Sequence, residues 1–311
     1  MEFKHIPVLL NETIENLQID KDKIYVDCTL GGGNHSLEIV KKLDKGRLIC
    51  IDQDLDAIEA AKKKLKDHID KIIFIKSNFK YFEEILDELK IDKVDGVLMD
   101  IGVSSYQIDE ASRGFSYMED APLDMRMDKN QDLTAQFIVN NYSQEDLANI
   151  FFKYGEEKWS KRIAEFIVES RKEKKIETTF DLVKIIDRAV SAEVRRNTKG
   201  HYAKRVFQAL RIEVNDELGV LEYVLPKIVK RLNPGGRLCV ITFHSLEDRI
   251  VKDIFKDLNT DCICPPEIPV CVCNKKREVK IITRKPIVPT ESEIETNSRS
   301  KSSKLRVVEK I

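Results

Sequence analysis

The chain has 311 residues, 42% of them hydrophobic, enough to bury one large core or two modest ones. Charged residues make up 34%, yet the formal net charge is −1, so bulk charge excludes a generally basic protein and any nucleic-acid surface must come from local clusters. No apolar run approaches the roughly eighteen residues of a membrane span, and MEFKHIPVLL carries charges where a signal peptide has its apolar region, so a soluble, cytoplasmic protein with reduced cysteines is expected, with no membrane partner.

In chain order, Ile24–Asp27 reads as a buried strand, Asn34–Leu43 as a helix after a glycine turn, Arg47–Ile51 as a strand and Leu55–Leu65 as a helix. Ile72–Ile75, Phe82–Leu89 and Val94–Met99 continue as strand, helix and strand. Short apolar strands alternating with amphipathic helices predict a parallel sheet of βαβ units. From Asp109 to Asn215 only helical periodicity is found, over Ala135–Asn140, Ser143–Tyr154, Lys158–Lys172, Thr179–Ser191 and Lys204–Val214. A helix then runs over Glu217–Leu232 and is closed by Asn233-Pro234-Gly235-Gly236. A strand over Arg237–Thr242, a helix over Leu246–Leu258 and a last strand over Ile281–Thr283 complete the pattern. The polar stretch from Glu291 to Lys304 reads as mobile.

The predicted fold is α/β, a Rossmann-like sheet carrying an all-helical insertion. Residues 1–112 and 216–311 form one discontinuous domain, and 113–215 form the insertion. Ligands of open α/β sheets sit beyond the carboxyl ends of the strands, so an insertion at that edge would cover the site.

The first strand ends in Asp27-Cys28-Thr29-Leu30-Gly31-Gly32-Gly33-Asn34-His35, where glycines permit a sharp turn and close approach of a ligand. The second ends at Asp52, where a carboxylate meets ribose hydroxyls of a nucleotide-like cofactor. The third glycine of a dinucleotide fingerprint is replaced by Ser36. Asp27 would repel a pyrophosphate and suits the cationic end of S-adenosyl-L-methionine. Phe79 after the third strand is placed either on an adenine ring or in the core. Asp100 ends the fourth strand, with Gln107 in the following loop.

Several stretches carry a resemblance in order along nearly the whole chain: HIPVLLNE (His5–Glu12), DCTLGGGNHS (Asp27–Ser36), DQD (Asp52–Asp54) and DGVLMDIGVSSYQID (Asp95–Asp109). RGFSYMEDAPLDMRMD (Arg113–Asp128), FQALRIEVNDEL (Phe207–Leu218), TFHSLEDRIVK (Thr242–Lys252) and NSRSKSSKLR (Asn297–Arg306) follow. Together they resemble the RsmH (MraW) family of bacterial 16S rRNA cytosine-N4 methyltransferases. The resemblance implies S-adenosyl-L-methionine as cofactor, held by Gly33, Asn34, His35, Asp52, Phe79, Asp100 and Gln107. It also implies 16S rRNA in the small ribosomal subunit as partner, methylated on a cytosine of the decoding region. Asn34 stands where that family usually has Gly; Asn tolerates left-handed backbone angles best among non-glycine residues. Asp100 is the candidate catalytic acceptor, with the backbone carbonyls of residues 101–103 as rivals and a loop-capping or cofactor-holding role as the bland alternative. The usual Pro-Pro-aromatic loop of amino-methyltransferases is replaced by Asp-Ile-Gly-Val.

Arg113, Arg126, Arg195, Arg196, Lys204 and Arg205 are candidate phosphate contacts, in part from a basic stretch that also holds Lys199 and Arg211, with Phe115 or Tyr117 stacking on an extruded base. Residues Arg299–Arg306 fold either onto RNA or back onto the sheet. His244 reads as structural, and Glu247 and Asp248 as acids in a first helical turn. Cys262, Cys264, Cys271 and Cys273 read as reduced thiols in a tight loop ahead of a zinc site, so no metal is expected. The competing functions are a nicotinamide oxidoreductase, a non-catalytic small-subunit assembly factor and a DNA amino-methyltransferase. Monomer and homodimer stay equally open.

Overall fold

The computed structural model describes residues 7–197, 200–265 and 270–311. His5 and Ile6 of the first family-like stretch, and Lys199 of the basic cluster, lie outside the described residues. The chain divides into two compact units, residues 1–102 with 218–311, and residues 103–217. The divisions fall at 102/103 and 217/218, whereas the sequence placed them at 112/113 and 215/216.

The first unit is built on a seven-stranded sheet of order β3-β2-β1-β4-β5-β7-β6. Its strands are β1 (Ile24–Asp27), β2 (Arg47–Asp52), β3 (Ile72–Lys76), β4 (Val94–Asp100), β5 (Leu232–Thr242), β6 (Val279–Ile281) and β7 (Lys304–Lys310). β1 to β5 pair in parallel, and β7 runs antiparallel between β5 and β6. This is a Rossmann-like sheet. Its order reverses between β1 and β4, which places a crevice at their carboxyl ends.

The apolar runs are continuous because both faces are covered. Along β2, Leu48 and Cys50 join one core cluster, while Ile49 and Ile51 join the other. Leu98 and Val97 of β4 divide the same way. Strands of a parallel sheet with helices on both faces show this pattern.

Two expectations are corrected here. Asn233-Pro234-Gly235-Gly236 lies inside β5, at an irregularity in its register with β4, although the preceding helix does stop at Lys230. The 291–304 stretch is ordered. Thr290 caps a helix over Glu291–Thr296, Asn297 caps a 3-10 turn over Ser298–Ser302, and the chain enters β7 at Lys304. The side chains of Thr290, Thr296, Asn297 and Ser300 bond to the backbone, a use that composition does not separate from solvation. The basic residues from Arg299 onward thus lead back onto the sheet. There Arg306 Nε donates to Asp248 Oδ1 at 2.6 Å and Lys304 Nζ to Asp248 Oδ2 at 2.9 Å.

The second unit is helical. Ala135–Asn141, Gln144–Lys153, Ser160–Glu173, Thr179–Ala189 and Lys204–Asn215 enclose a core of Ile138, Leu147, Phe151, Ile163, Ile186 and Leu210. Ser143 and Thr178 cap two of these helices; Thr178 forms a reciprocal box with Asp181. Among the described residues, no helix is long and apolar enough to cross a membrane.

Candidate cofactor site

The carboxyl ends of β1, β2 and β4 meet around the glycine turn. Leu30 N donates to Ile51 O at 3.1 Å, which ties the turn to β2. Gly31 (φ 48°) and Gly33 (φ 71°) take the left-handed conformation, and Gly33 is the N-cap of the helix Asn34–Lys42. A Cβ on Gly33 would come 3.2 Å from the Ala61 Cβ. The left-handed requirement therefore falls on Gly33. Asn34 opens the helix, and its Oδ1 accepts from Lys64 Nζ.

Asp52 lies at the end of β2, where the sequence placed it. Its Oδ2 accepts from Gly31 N at 2.8 Å and its Oδ1 from Asp54 N at 2.9 Å. Burial pushes its carboxyl up to about 6, against those two hydrogen bonds, which favour the charged form. Each oxygen retains a further lone pair for a hydroxyl donor.

Asp27 has a different place from the one its position suggested. It is 1% exposed; its Oδ1 accepts from Thr29 N at 3.1 Å and its Oδ2 from Ser36 Oγ at 2.7 Å. Asp27 therefore organises the turn from beneath, and burial raises its pKa. Ser36, at the missing third glycine, holds that carboxylate.

Asp100 stands across the sheet reversal. Its backbone N donates to Thr29 Oγ1 at 2.6 Å, so one threonine fixes the turn and the end of β4. The Oδ1 of Asp100 is closed off from solvent and has no hydrogen-bond partner. Its Oδ2 lies 3.6 Å from His35 Nδ1. His35 Nε2 is 3.1 Å from Val8 O, a carbonyl that can only accept, so Nε2 carries a proton. Burial first, then the negative charges of Asp27 and Glu247, push the Asp100 carboxyl up to about 8.

Phe79 begins a 3-10 turn after β3 and packs partly buried against one core cluster of the first unit. Asn78 caps that turn, and its Nδ2 donates to Gln53 Oε1 at 2.9 Å. The first unit thus gathers Gly33, Asn34, His35, Asp52 and Asp100 along one sheet edge, with Phe79 on the turn after the neighbouring strand. Gln107 belongs to the second unit. It is 4% exposed and forms a capping box, with Ser104 N donating to its Oε1 at 3.1 Å.

Thr29 and Val8 were not singled out by sequence, while Ser36 was read only as the absent third glycine and Glu247 only as an acid of a first helical turn. Thr29 and Ser36 lie inside the glycine motif, and their small hydroxyls near a buried carboxylate were the available signal. His244 is the N-cap of the helix Ser245–Leu258, with its ring 2.9 Å from Glu247. Glu247 is fully buried and accepts from Phe243 N at 2.8 Å. Hydrogen bonds from Arg306 and Lys304 hold the Asp248 carboxyl below its ordinary range, overcoming its burial.

The basic candidates separate within the second unit. Arg113 is 4% exposed and donates to Arg126 O and Met127 O. Arg126 grips both oxygens of Asp124 and the carbonyls of Lys129 and Gln131. Arg195 pairs with Asp187, and Arg211 pairs with Glu217 through both carboxylate oxygens. Arg205 donates to Glu156 O. Arg196 and Lys204 are exposed. Phe115 lies in the helical core, and Tyr117 stacks on His201 at 4.7 Å. Most of the expected RNA contacts therefore have internal duties.

The four outer cysteines lie close together in the first unit. Their sulfurs all fall within 4.8 Å of one another.

Comparison with known proteins accords with this architecture. The family model described as the MraW methylase family matches residues 2–311. The chain is 63% identical over 311 residues to the ribosomal RNA small subunit methyltransferase H of Finegoldia magna, covering 100% of both chains. It is 60% identical over 312 residues to the protein of that name from Clostridium botulinum and 57% identical over 312 residues to that from Clostridioides difficile, again covering 100% of both chains. With a family match over nearly its whole length and relatives of equal extent, the chain belongs to the MraW methylase family.

Proposed function

We propose that this chain methylates RNA of the small ribosomal subunit, on the N4 nitrogen of a cytosine in the decoding region of 16S rRNA. As a methylase of its family it uses S-adenosyl-L-methionine, which supplies an electrophilic methyl group on a positively charged sulfur.

The site suits such a group. The carrying observation is the orphaned Oδ1 of Asp100, an acceptor closed off from water at the reversal of the sheet. A buried polar atom without a partner costs about 1–3 kcal/mol, so its persistence favours a ligand that satisfies it. Asp52 would hold ribose hydroxyls. The left-handed turn ending at Gly33 would let the backbone approach closely, with Asn34 and His35 at the start of the following helix. Phe79 and Gln107 are the remaining contacts in this reading.

The Asp100 carboxyl is neutral at pH 7 in the free protein, since burial has raised it to about 8. A cation brought beside it favours the ionised form. Once ionised it can accept a proton from the cytosine amine. That matters because the N4 lone pair is delocalised into the ring and the nitrogen attacks only as it becomes pyramidal. The bound donor would supply the methyl group to N4, and the Asp100 carboxylate would take the amine proton that the attack releases. Positioning supplies much of the rate, because the sulfonium is already a good leaving group. In this proposal Arg196 and Lys204 are the outward cations of the helical unit that meet RNA phosphates.

The deciding experiment offers small subunits from unmethylated cells and naked 16S rRNA, with labelled methyl donor, to the chain and to Asp52→Asn. One N4-methylcytosine in the decoding region is expected. The variant should bind the donor about tenfold to a hundredfold more weakly, from the roughly 1.5–3 kcal/mol of a charged hydrogen bond. Methylation mapped to another nitrogen would remove the cytosine-N4 assignment. Absence of transfer with donor still bound would favour the assembly-factor reading.

A further inference from the structure

The connection between the helix Ser245–Leu258 and β6, residues 259–278, holds no helix or strand among the described residues. Segments of this length without secondary structure are uncommon in compact domains unless something fastens them. This one has little apolar core of its own. Ile263, Val270 and Val272 are 64%, 70% and 68% exposed. It does carry two Cys-x-Cys arms, Cys262-Ile263-Cys264 and Cys271-Val272-Cys273, and they face each other.

We propose that these four cysteines form a structural zinc site that closes the loop. Zn²⁺ bound by four sulfurs at about 2.3 Å places them about 3.8 Å apart in a tetrahedron. The Cys262–Cys271, Cys271–Cys273 and Cys262–Cys273 sulfurs are 3.5, 3.5 and 3.8 Å apart, and all four lie within 4.8 Å of one another. None is in a disulfide.

Backbone donors point at the same sulfurs. Ile263 N donates to Cys273 Sγ, Cys264 N to Cys262 Sγ and Val272 N to Cys264 Sγ, each at 3.4 Å. The middle residue of each arm thus donates to a cysteine of the other. Such bonds favour thiolate over thiol, since they stabilise sulfur's negative charge. Zn²⁺ with four thiolates carries a formal charge of −2, and Lys275, Lys276 and Arg277 follow after Asn274, Lys275 and Arg277 also pairing with Asp257 and Asp261. On binding, four S–H protons pass to solvent and four Zn–S bonds form. Four protein ligands leave no open position for water, so the site is structural and takes no part in methyl transfer. The proposal departs from the expectation of plain reduced thiols because the sulfurs of both arms converge in a way that Cys-x-Cys spacing alone does not reveal.

The test uses the full chain, purified with reductant and without chelator, with its metal content measured. About one zinc per chain is expected. Metal-free chain titrated with Co²⁺ should develop the intense sulfur-to-metal absorption and the visible bands of a tetrahedral tetrathiolate. Cys264→Ser and Cys271→Ser, one on each arm, should each lower zinc affinity at least a hundredfold and weaken that absorption. Zinc near zero after incubation with Zn²⁺, or a cobalt spectrum without sulfur bands, would overturn the proposal. So would an unreduced mass lower by four hydrogens, the mark of two disulfides. If a serine variant fails to fold, the cobalt titration of the unaltered chain decides alone.

Discussion

A buried carboxylate can serve as a girder or as a reagent, and Asp27 and Asp100 separate the two at the residue scale. Asp27 has both oxygens engaged by Thr29 and Ser36, whereas Asp100 keeps one oxygen without a partner. The difference shows in pH dependence. Asp100 is raised from an ordinary value near 3.8 to about 8. Between those values the unfolded chain has lost the proton that the folded chain keeps, so stability is fullest below about pH 4 and is lost as pH rises through about 8. Asp52, raised to about 6, adds loss in the same direction over a narrower window. Asp100→Asn removes the larger contribution. Its melting temperature, relative to the unaltered chain, should rise more at pH 8.5 than at pH 5, while methyl transfer falls at least tenfold and RNA affinity changes little. Melting curves at the two pH values check the first part. Unchanged turnover would take Asp100 out of the mechanism.

At the scale of elements, cationic side chains in the helical unit divide into struts and outward charges. Arg126 is bidentate on Asp124 and bonded to two carbonyls, so Arg126→Ala leaves a carboxylate and backbone acceptors without their donor. A loss of about 1–3 kcal/mol is expected, read as a lower denaturation midpoint. Arg196→Ala with Lys204→Ala should leave that midpoint within about 0.5 kcal/mol, as surface changes usually do. The double variant should instead weaken RNA binding and lower its salt dependence by about two phosphate contacts. Equal RNA affinity for the double variant and the unaltered chain would move the RNA surface elsewhere. The helices themselves were legible in sequence, because Ser143 and Thr178 begin two of them in the way their side chains predict. The struts were not legible, because an arginine's partner is set by folding.

On the scale of the whole molecule, the carboxyl-terminal strand completes the first unit. β7 lies between β5 and β6, and Arg237 grips Glu309 across the β5–β7 pair at 2.9 Å. A chain ending at Asn297 loses that strand along with the Arg306 and Lys304 partners of Asp248. It leaves β5 and β6 with unpaired edges, which invite aggregation. Such a truncation should abolish the cooperative thermal transition of the sheet unit and its donor binding, followed by circular dichroism and calorimetry. A soluble truncated chain with normal donor affinity would contradict this role for β7.

Sequence by itself determined the parallel half of the sheet, the helical character of residues 109–215 and the glycine turn with its acids. Local periodicity, strand-end acids and backbone freedom act within a few residues and are written in order along the chain. It also determined family membership, through motifs spaced over the whole length. The tertiary structure alone decided that Asp27 supports the turn while Asp100 is left with an open acceptor, because desolvation and hydrogen-bond partners come from distant segments. It alone decided that the chain after the polar stretch becomes the sixth strand across the sheet, since its pairing with β5 and β6 joins segments far apart in the sequence. The same holds for the four sulfurs, which only folding brings within 4.8 Å of one another.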